Sequence, residues 1–231
     1  MTYRLHYAPD NASLAIRLAL GMANVPFVPV LVDRHRGGQR ASAYLALNPN
    51  GLIPLLETPD GPLFETGAIL LWLSERHPGL APAPADPARG AVLTWLFWLA
   101  NTLPPAETKL FYPDRHTTPQ GAADLTARTC ARIVKALDIL EGALPRLADW
   151  IGTGRPSVLD CYLGPLLRWP VLYAPGAPAG WYDLRRWPGL FAVAARLEHH
   201  PAAIAAARAE GLGPYPFTAP TLPAPPEGSA I

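Results

Sequence analysis

The sequence predicts a small α/β domain followed by an all-α domain, and three observations support this. Short strand-like runs alternate with helical stretches up to about residue 76. Beyond about residue 88 the strand pattern stops, and apolar residues recur at spacings of three and four. The stretch between them is rich in Pro and Ala, which is typical of a semi-rigid linker. We therefore expect an α/β domain at residues 1–78, a linker at 79–87, and a helical domain with a Pro-rich tail at 88–231.

The first domain opens with a βαβ unit, in which the two strands are expected to run parallel. Farther on, the turn sequence Thr-Pro-Asp-Gly joins two short runs and predicts a hairpin, because Pro presets one turn residue and Gly permits positive φ. The predicted order is strand, helix, strand, short helix, strand, strand and helix, at residues 3–7, 13–23, 25–33, 40–48, 53–57, 62–65 and 66–77.

The second domain shows only helical periodicity, and prolines mark the edges of several of its segments. The predicted helices lie at residues 88–111, 121–149, 157–173, 188–199 and 201–210. From Gly213 onward the chain is rich in Pro, and we expect an irregular tail that wraps the body or is partly disordered.

Charge and cysteine content narrow the functional classes. Lys and Arg total 19 against 18 Asp and Glu, and this near-balance argues against a nucleic-acid binder. Cys130 and Cys161 lie far apart and form no CxxC or metal-ligand spacing, so neither a disulfide framework nor a metal site is expected. No apolar run has the length of a membrane span or a signal peptide, so we expect a cytoplasmic protein with no membrane partner.

Glu65 and Thr66 stand between apolar residues where a predicted strand gives way to a helix. A helix N-terminus offers unpaired N–H groups and a partial positive charge, so an amino-acid carboxylate could dock there and also meet the Thr66 hydroxyl. Glu65 could accept hydrogen bonds from the ammonium group of the same ligand. The pair would then recognise a zwitterion. The alternative is that Glu65 or Thr66 simply caps the helix.

Three motifs, in this order and spacing, resemble those of the glutathione transferase superfamily, as do the domain order and the length. They are NPNGLIP, which ends at Pro54, ETGAI at 65–69, and the capping box SVLD at 157–160. The resemblance covers the whole chain and is closest to bacterial beta-class members. It implies a thioredoxin-like first domain, a homodimer, and glutathione as co-substrate with no metal.

The resemblance also implies roles for individual residues. A cis bond before Pro54 would leave the Ile53 N–H and C=O free to pair with an extended peptide. Glu65 and Thr66 would hold the γ-glutamyl end of glutathione. The glycyl carboxylate requires a cation from the basic loop 33–40, and Arg36 is chosen by its alignment with a basic residue of bacterial relatives.

The residue that activates the glutathione thiol is left open. Beta-class relatives carry a catalytic cysteine where this chain has Ala12, so a cysteine mechanism at that position is excluded. Three nearby donors remain: the Asn11 amide, the Ser13 hydroxyl and the Tyr7 phenol, with Asn11 and Ser13 ranked together ahead of Tyr7. Asn11 or Ser13 could instead be the helix N-cap, and Tyr7 could be a packed strand residue.

The resulting functional prediction is a detoxifying glutathione transferase that stabilises the thiolate and adds it to a hydrophobic electrophile. Glutathione-dependent reduction of disulfides or peroxides would be a side activity of the same site. The alternative, from another class, is a non-catalytic binding or scaffold module with the same fold.

Overall fold

A computed structural model of the chain describes residues 2–153 and 156–230, and its first domain is built on a four-stranded sheet. The strands are β1 (Tyr3–Tyr7), β2 (Phe27–Leu31), β3 (Leu55–Thr58) and β4 (Gly61–Phe64). Their order is β2-β1-β3-β4; β1 and β2 are parallel, and β3 is antiparallel to both β1 and β4. The helices of this domain are α1 (Ser13–Met22), α2 (Ser42–Leu45) and α3 (Thr66–Arg76).

The strands keep the predicted order, and their details follow from turn and edge chemistry. Thr58 pairs with Gly61 across the hairpin, where the Thr58 hydroxyl donates to the Gly61 carbonyl and Gly61 has φ 120°. Pro29 lies within β2 and Pro62 within β4. Both strands are edges of the sheet, where a residue without an N–H donor is tolerated.

The second domain contains helices and no strand within its described residues. Its α-helices are α4 (Arg89–Phe111), α5 (Ala122–Ala143), α6 (Val158–Leu172), α7 (Pro188–Glu198) and α8 (Pro201–Glu210). Helix α5 ends six residues earlier than the predicted 149, since the chain passes into a short 3-10 turn that contains Pro145. The α/β-plus-helical fold class is thereby confirmed, whereas the exact limits of the linker stay a prediction.

Helix α6 begins with a complete capping box. The Ser157 hydroxyl accepts from the Leu159 N–H, and Asp160 accepts from the Ser157 N–H at 2.8 Å. Asp160 also accepts from the Gly152 N–H at 2.7 Å. This box therefore has the structural role that its sequence predicts.

The two domains share one apolar core. Helix α1 packs against α6 and α8, and α3 packs against α4 and α6. Leu14, Leu18 and Leu70 of the first domain lie in the same buried cluster as Leu99 and Leu163 of the second. The helical domain therefore fixes the loop before α1 and the N-terminus of α3 relative to α4 and α6.

The tail is irregular and wraps the body. Gly211, at φ 65°, ends α8, and Phe217 is buried. The Arg168 guanidinium donates to the carbonyls of Pro216 and Thr221, and farther on the Tyr7 hydroxyl donates to Glu227 at 2.6 Å. The tail therefore returns to the end of β1.

Neither a membrane span nor a metal centre is found within the described residues. None of the helices there combines the length and the hydropathy that crossing a bilayer requires. Over the same residues, no group of three His, Cys, Asp or Glu is arranged to hold a metal ion.

Candidate functional site

A cavity of about 620 Å³ lies between the two domains, and we call it the interdomain cavity. One wall is formed by the loop before α1, the segment before β3 and the start of α3; the other is formed by α4 and α6. Its lining residues include Asn11, Ala12, Arg34, Ile53, Glu65, Thr66, Phe97, Ala100, Asn101, Pro104, Pro105, Glu107, Phe111, Tyr112, Tyr162, Leu166 and Ala230.

Glu65 and Thr66 meet the cavity at the N-terminus of α3. Glu65 has φ 71°, an unusual backbone conformation for a residue other than glycine, and such strain concentrates at ligand sites. Among the described residues no side chain caps α3, so the capping alternative for Glu65 and Thr66 is not what the structure shows. The exposed Glu65 carboxylate and the first N–H groups of α3 are therefore available to a ligand.

The segment before β3 is shaped by the NPNG sequence. The Tyr44 hydroxyl and the Asn48 side-chain amide both donate to the Leu52 carbonyl at 2.7 Å, and Asn48 Oδ1 accepts from the Asn50 N–H. The Ile53–Pro54 bond that follows is cis, as the family resemblance implied. Within the described residues, the Ile53 N–H and C=O form no backbone hydrogen bond, so both remain free beside the cavity.

Of the three candidate thiol activators, the structure brings only Asn11 to the cavity. Asn11 accepts from the Ala12 N–H through Oδ1, and its Nδ2 donor has no partner among the described residues. Ser13 is fully buried and donates to the Ala8 carbonyl at 3.2 Å. Neither Asn11 nor Ser13 caps α1, because the N-cap position is Ala12.

Tyr7 points toward the tail instead of the cavity wall. Its hydroxyl donates to Glu227, and its ring lies 4.5 Å from the Arg17 guanidinium. Burial, helped by the Glu227 carboxylate, raises the pKa of Tyr7 to about 12. Tyr7 therefore matches the packed-residue alternative more closely than the role of an exposed donor.

The loop that carries Asn11 is fixed by a buried carboxylate that sequence reasoning missed. Asp10 has φ 49° and accepts from Arg168 Nε at 2.9 Å, Arg168 Nη2 at 3.0 Å, Trp169 Nε1 at 2.8 Å and the Tyr173 hydroxyl at 2.6 Å. The Asp10 N–H donates to Glu210, which also pairs with Arg17 at 2.7 Å. Burial raises the pKa of Glu210 to about 7, against the opposing effect of Arg17.

The basic loop presents Arg34, not Arg36, to the interdomain cavity. The Arg36 side chain is 89% exposed, and its nearest charged partner is Asp33 at 3.5 Å. Arg34 lines the cavity, donating to the Tyr112 hydroxyl at 3.2 Å and to the Ala230 carbonyl of the tail. The sequence identified this loop as the source of a cation but contained no signal that distinguishes one arginine from the other.

The wall formed by α4 and α6 is mainly apolar, with Phe97, Pro104, Phe111 and Leu166 among its residues. One acid interrupts it. Glu107 is 1% exposed, and neither of its carboxyl oxygens has a hydrogen-bond partner within the described residues. Burial raises the pKa of Glu107 well above its ordinary value.

This arrangement can bind an elongated zwitterionic ligand. It offers an acid and a helix N-terminus at one end, free backbone groups at Ile53 in the middle, and an apolar wall opposite. The only cation that lines the cavity among the described residues is Arg34.

Comparison with known families agrees with this geometry. The family model of the glutathione S-transferase N-terminal domain matches residues 1–75, and that of the C-terminal domain matches residues 123–196. Glutathione S-transferase GstA of Escherichia coli O157:H7 is 32% identical over 171 residues, which cover 72% of this chain and 81% of that protein.

A second sequence relative and a solved structure are also similar to this chain over most of its length. Disulfide-bond oxidoreductase YfcG of Escherichia coli K12 is 31% identical over 163 residues, which cover 68% of this chain and 74% of that protein. A sphingomonad glutathione S-transferase, solved in complex with glutathione, superimposes with a TM-score of 0.73 at 31% identity and covers 91% of this chain and 100% of its own. Both domains, their order and the thioredoxin-like sheet thus agree, and the chain belongs to the glutathione S-transferase superfamily.

Proposed function

We propose that this protein is a glutathione transferase, which binds glutathione, stabilises its thiolate and adds the sulfur to an apolar electrophile. The observation that carries the proposal is the Glu65 carboxylate, which has no partner among the described residues, beside the N-terminus of α3, where no side-chain cap is seen; both lie on the interdomain cavity. The complex of the sphingomonad relative with glutathione supports the same ligand class.

In the proposed complex, glutathione lies along the first-domain wall. Its γ-glutamyl ammonium is accepted by Glu65, and its α-carboxylate meets the Thr66 hydroxyl and the first N–H groups of α3. The cysteinyl backbone pairs with the Ile53 N–H and C=O, as an added strand would. The glycyl carboxylate binds Arg34, because that guanidinium lies on the cavity, and Arg36 is the alternative from the sequence.

The Asn11 amide is the proposed thiol activator. Its Nδ2 donor is unpaired and lies on the cavity wall beside Ala12. Lowering a thiol pKa by two units requires about 3 kcal/mol of preference for the thiolate, and hydrogen bonds to a charged group supply about 1.5–3 kcal/mol each. The thiol proton passes to solvent, and the thiolate then attacks. Ser13 and Tyr7 are the remaining candidates.

Glutathione-dependent disulfide reduction is a second candidate, suggested by the similarity to a disulfide-bond oxidoreductase. Two glutathione molecules would reduce one disulfide and leave as glutathione disulfide. Cys130 and Cys161 are both buried, and burial raises the pKa of each thiol. Any such exchange would therefore use the thiol of glutathione and not an enzyme cysteine.

The deciding experiment is calorimetric titration of the wild type and Glu65→Gln with glutathione. We expect the dissociation constant to rise at least tenfold, because a charged hydrogen bond to the ligand ammonium contributes about 1.5–3 kcal/mol. The matched control is Glu75→Gln, which changes an acid near the other end of α3 that pairs with Arg89 and should leave binding unchanged.

Absence of heat with millimolar glutathione in the wild type would contradict the proposal and favour the scaffold alternative. An equal loss in both variants would show a disturbed α3 instead of a lost ligand contact. We also propose a homodimer, on the family resemblance, and light scattering of the purified protein tests it: a monomeric mass would contradict that part alone.

A further inference from the structure

Glu107 is a buried acid without a partner in the wall of the interdomain cavity. It lies on α4, two residues after Pro105, and both of its oxygens are sealed from water. An ionised carboxylate in that position would be left without hydrogen bonds or solvation, which is strongly unfavourable. Glu107 is therefore a neutral carboxylic acid with one O–H to donate.

The groups around Glu107 do not offset a negative charge. Tyr162 of α6 and Tyr182 lie close enough that the charge of Glu107 contributes to raising their pKa values, although burial is the larger cause for both. Glu65, across the cavity, contributes in the same direction at Tyr162. Burial, the cause of the raised pKa of Glu107, therefore favours its protonated form.

Within the part of the chain that the structure describes, no hydrogen bond holds the Glu107 carboxyl in its present position. Rotation of its side chain toward a ligand in the cavity therefore breaks no polar contact of that group. The surrounding wall, with Phe97, Phe111 and Leu166, suits an apolar body. A polar atom of such a ligand placed against Glu107 would gain a hydrogen bond in a site of low dielectric, where it is strong.

We propose that Glu107 donates its proton to the second substrate, and that this substrate is an apolar electrophile with a conjugated carbonyl. This inference rests on the proposed glutathione transferase function. The thiolate sulfur forms a bond to the β-carbon as the C=C electron pair shifts toward the carbonyl oxygen, which takes the proton of Glu107. The enol then becomes the ketone, and the Glu107 carboxylate regains a proton from solvent as the product leaves.

The test compares two electrophiles in the wild type and Glu107→Leu. One is 4-phenyl-3-buten-2-one, whose addition product needs a proton; the other is 1-chloro-2,4-dinitrobenzene, which releases chloride and needs none. Removal of a general acid costs about 10²–10⁴-fold, so kcat/KM with the enone should fall about 100-fold. In the same variant, kcat/KM with 1-chloro-2,4-dinitrobenzene and the affinity for glutathione should change less than threefold.

The Leu variant is expected to fold, since it replaces a buried unpaired acid with an apolar side chain of similar size. Glu107→Gln adds a second comparison, because its amide donates a hydrogen bond but no proton; its enone rate should fall between those of the wild type and the Leu variant.

Each alternative result has a distinct meaning. Equal losses with both electrophiles would assign Glu107 a structural role and overturn the proposal. An unchanged enone rate in the Leu variant would also overturn the proposal. The same holds if the wild type acts on the aryl chloride but not on the enone. Failure of the wild type to bind glutathione at all would instead contradict the proposed function on which this inference rests.

Discussion

At the scale of single residues, Asp10 sets the geometry of the loop that carries Asn11. Its carboxylate is fully enclosed and takes hydrogen bonds from Arg168, Trp169 and Tyr173. Removing one member of a buried ion pair leaves an uncompensated charge, which costs about 3–5 kcal/mol. Asn11 is therefore presented by a loop that the helical domain holds in place, and such preorganisation favours a donor aimed at a thiolate.

Because Glu107 is a buried acid, we expect it to make the unfolding free energy of the protein depend on pH. Its folded-state pKa lies above the ordinary 4.5, so the folded protein retains a proton that the unfolded chain releases. The contribution of Glu107 to the unfolding free energy is therefore fully present below pH 4.5 and declines as the pH rises toward the folded-state pKa. The unfolding free energy of Glu107→Leu minus that of the wild type should therefore increase as the pH is raised from 5.5 to 8.5, by up to about 1.4 kcal/mol per pH unit.

Urea unfolding of both proteins at the two pH values checks this. Other titrating groups, including Glu210, are present in both proteins and cancel in the difference. A difference that does not change with pH would show that Glu107 ionises in the folded protein as it does in water.

At the scale of elements, α4 contains two adjacent prolines inside the helix. Pro104 and Pro105 have no N–H, so the carbonyls of Ala100 and Asn101 lose their usual helical donors. All four residues line the interdomain cavity. The helix thus gives up two of its own hydrogen bonds where the second substrate is proposed to bind, which is the kind of local cost that functional sites carry.

Replacing both prolines should stabilise the protein and impair the site. Pro104→Ala/Pro105→Ala restores two donors, and we expect the unfolding free energy to rise by about 1–3 kcal/mol, because an interior proline costs about 3 kcal/mol before the surroundings adapt. KM for the electrophile should rise as the wall changes shape, with glutathione affinity unchanged.

The matched control is Pro188→Ala, since Pro188 stands in the first turn of α7, where no helical hydrogen bond is lost. It should show no gain in stability. A destabilised double variant would indicate that the prolines are held by packing that alanine cannot replace.

At the scale of the whole molecule, the tail ties the two domains together across the interdomain cavity. Glu198 accepts from the Phe217 and Thr218 N–H groups, Tyr7 donates to Glu227, and Arg34 donates to the Ala230 carbonyl. The last of these contacts occupies the cation that we assign to the glycyl carboxylate of glutathione. We therefore expect the tail and glutathione to compete for the Arg34 guanidinium.

A chain that ends at residue 224 tests this competition. It keeps Phe217 and the hydrogen bond from the Ala224 N–H to the Gly211 carbonyl, and it frees Arg34. We expect glutathione to bind about tenfold more tightly, consistent with about 1.5 kcal/mol for a charged hydrogen bond, as measured by calorimetry. Arg34→Ala in the shortened chain should abolish the gain, whereas weaker binding by the shortened chain would show that the tail forms part of the site.

The sequence predicted structural features that depend on residues close together in the chain, and it missed contacts between residues far apart in the chain. Strand and helix order followed from periodicity, and two polar residues at an element boundary, Glu65 and Thr66, do line the interdomain cavity, where their role in binding stays a prediction. Asp10 meets Arg168 only because α1 packs on α6, and no local pattern records that contact. Glu107 lies within an apolar helical stripe, where its burial depends on the whole assembled cavity.

The position of Ala230 also bears on how this protein can be handled. Because Ala230 lies in the cavity wall, anything attached to the chain after it, such as an affinity tag or a fused partner, begins beside the proposed ligand site. The start of β1 is the better place for an attachment. Thr2 is exposed, and Tyr3 lies at the opposite end of the strand from Tyr7, about 13 Å away at the rise of an extended chain.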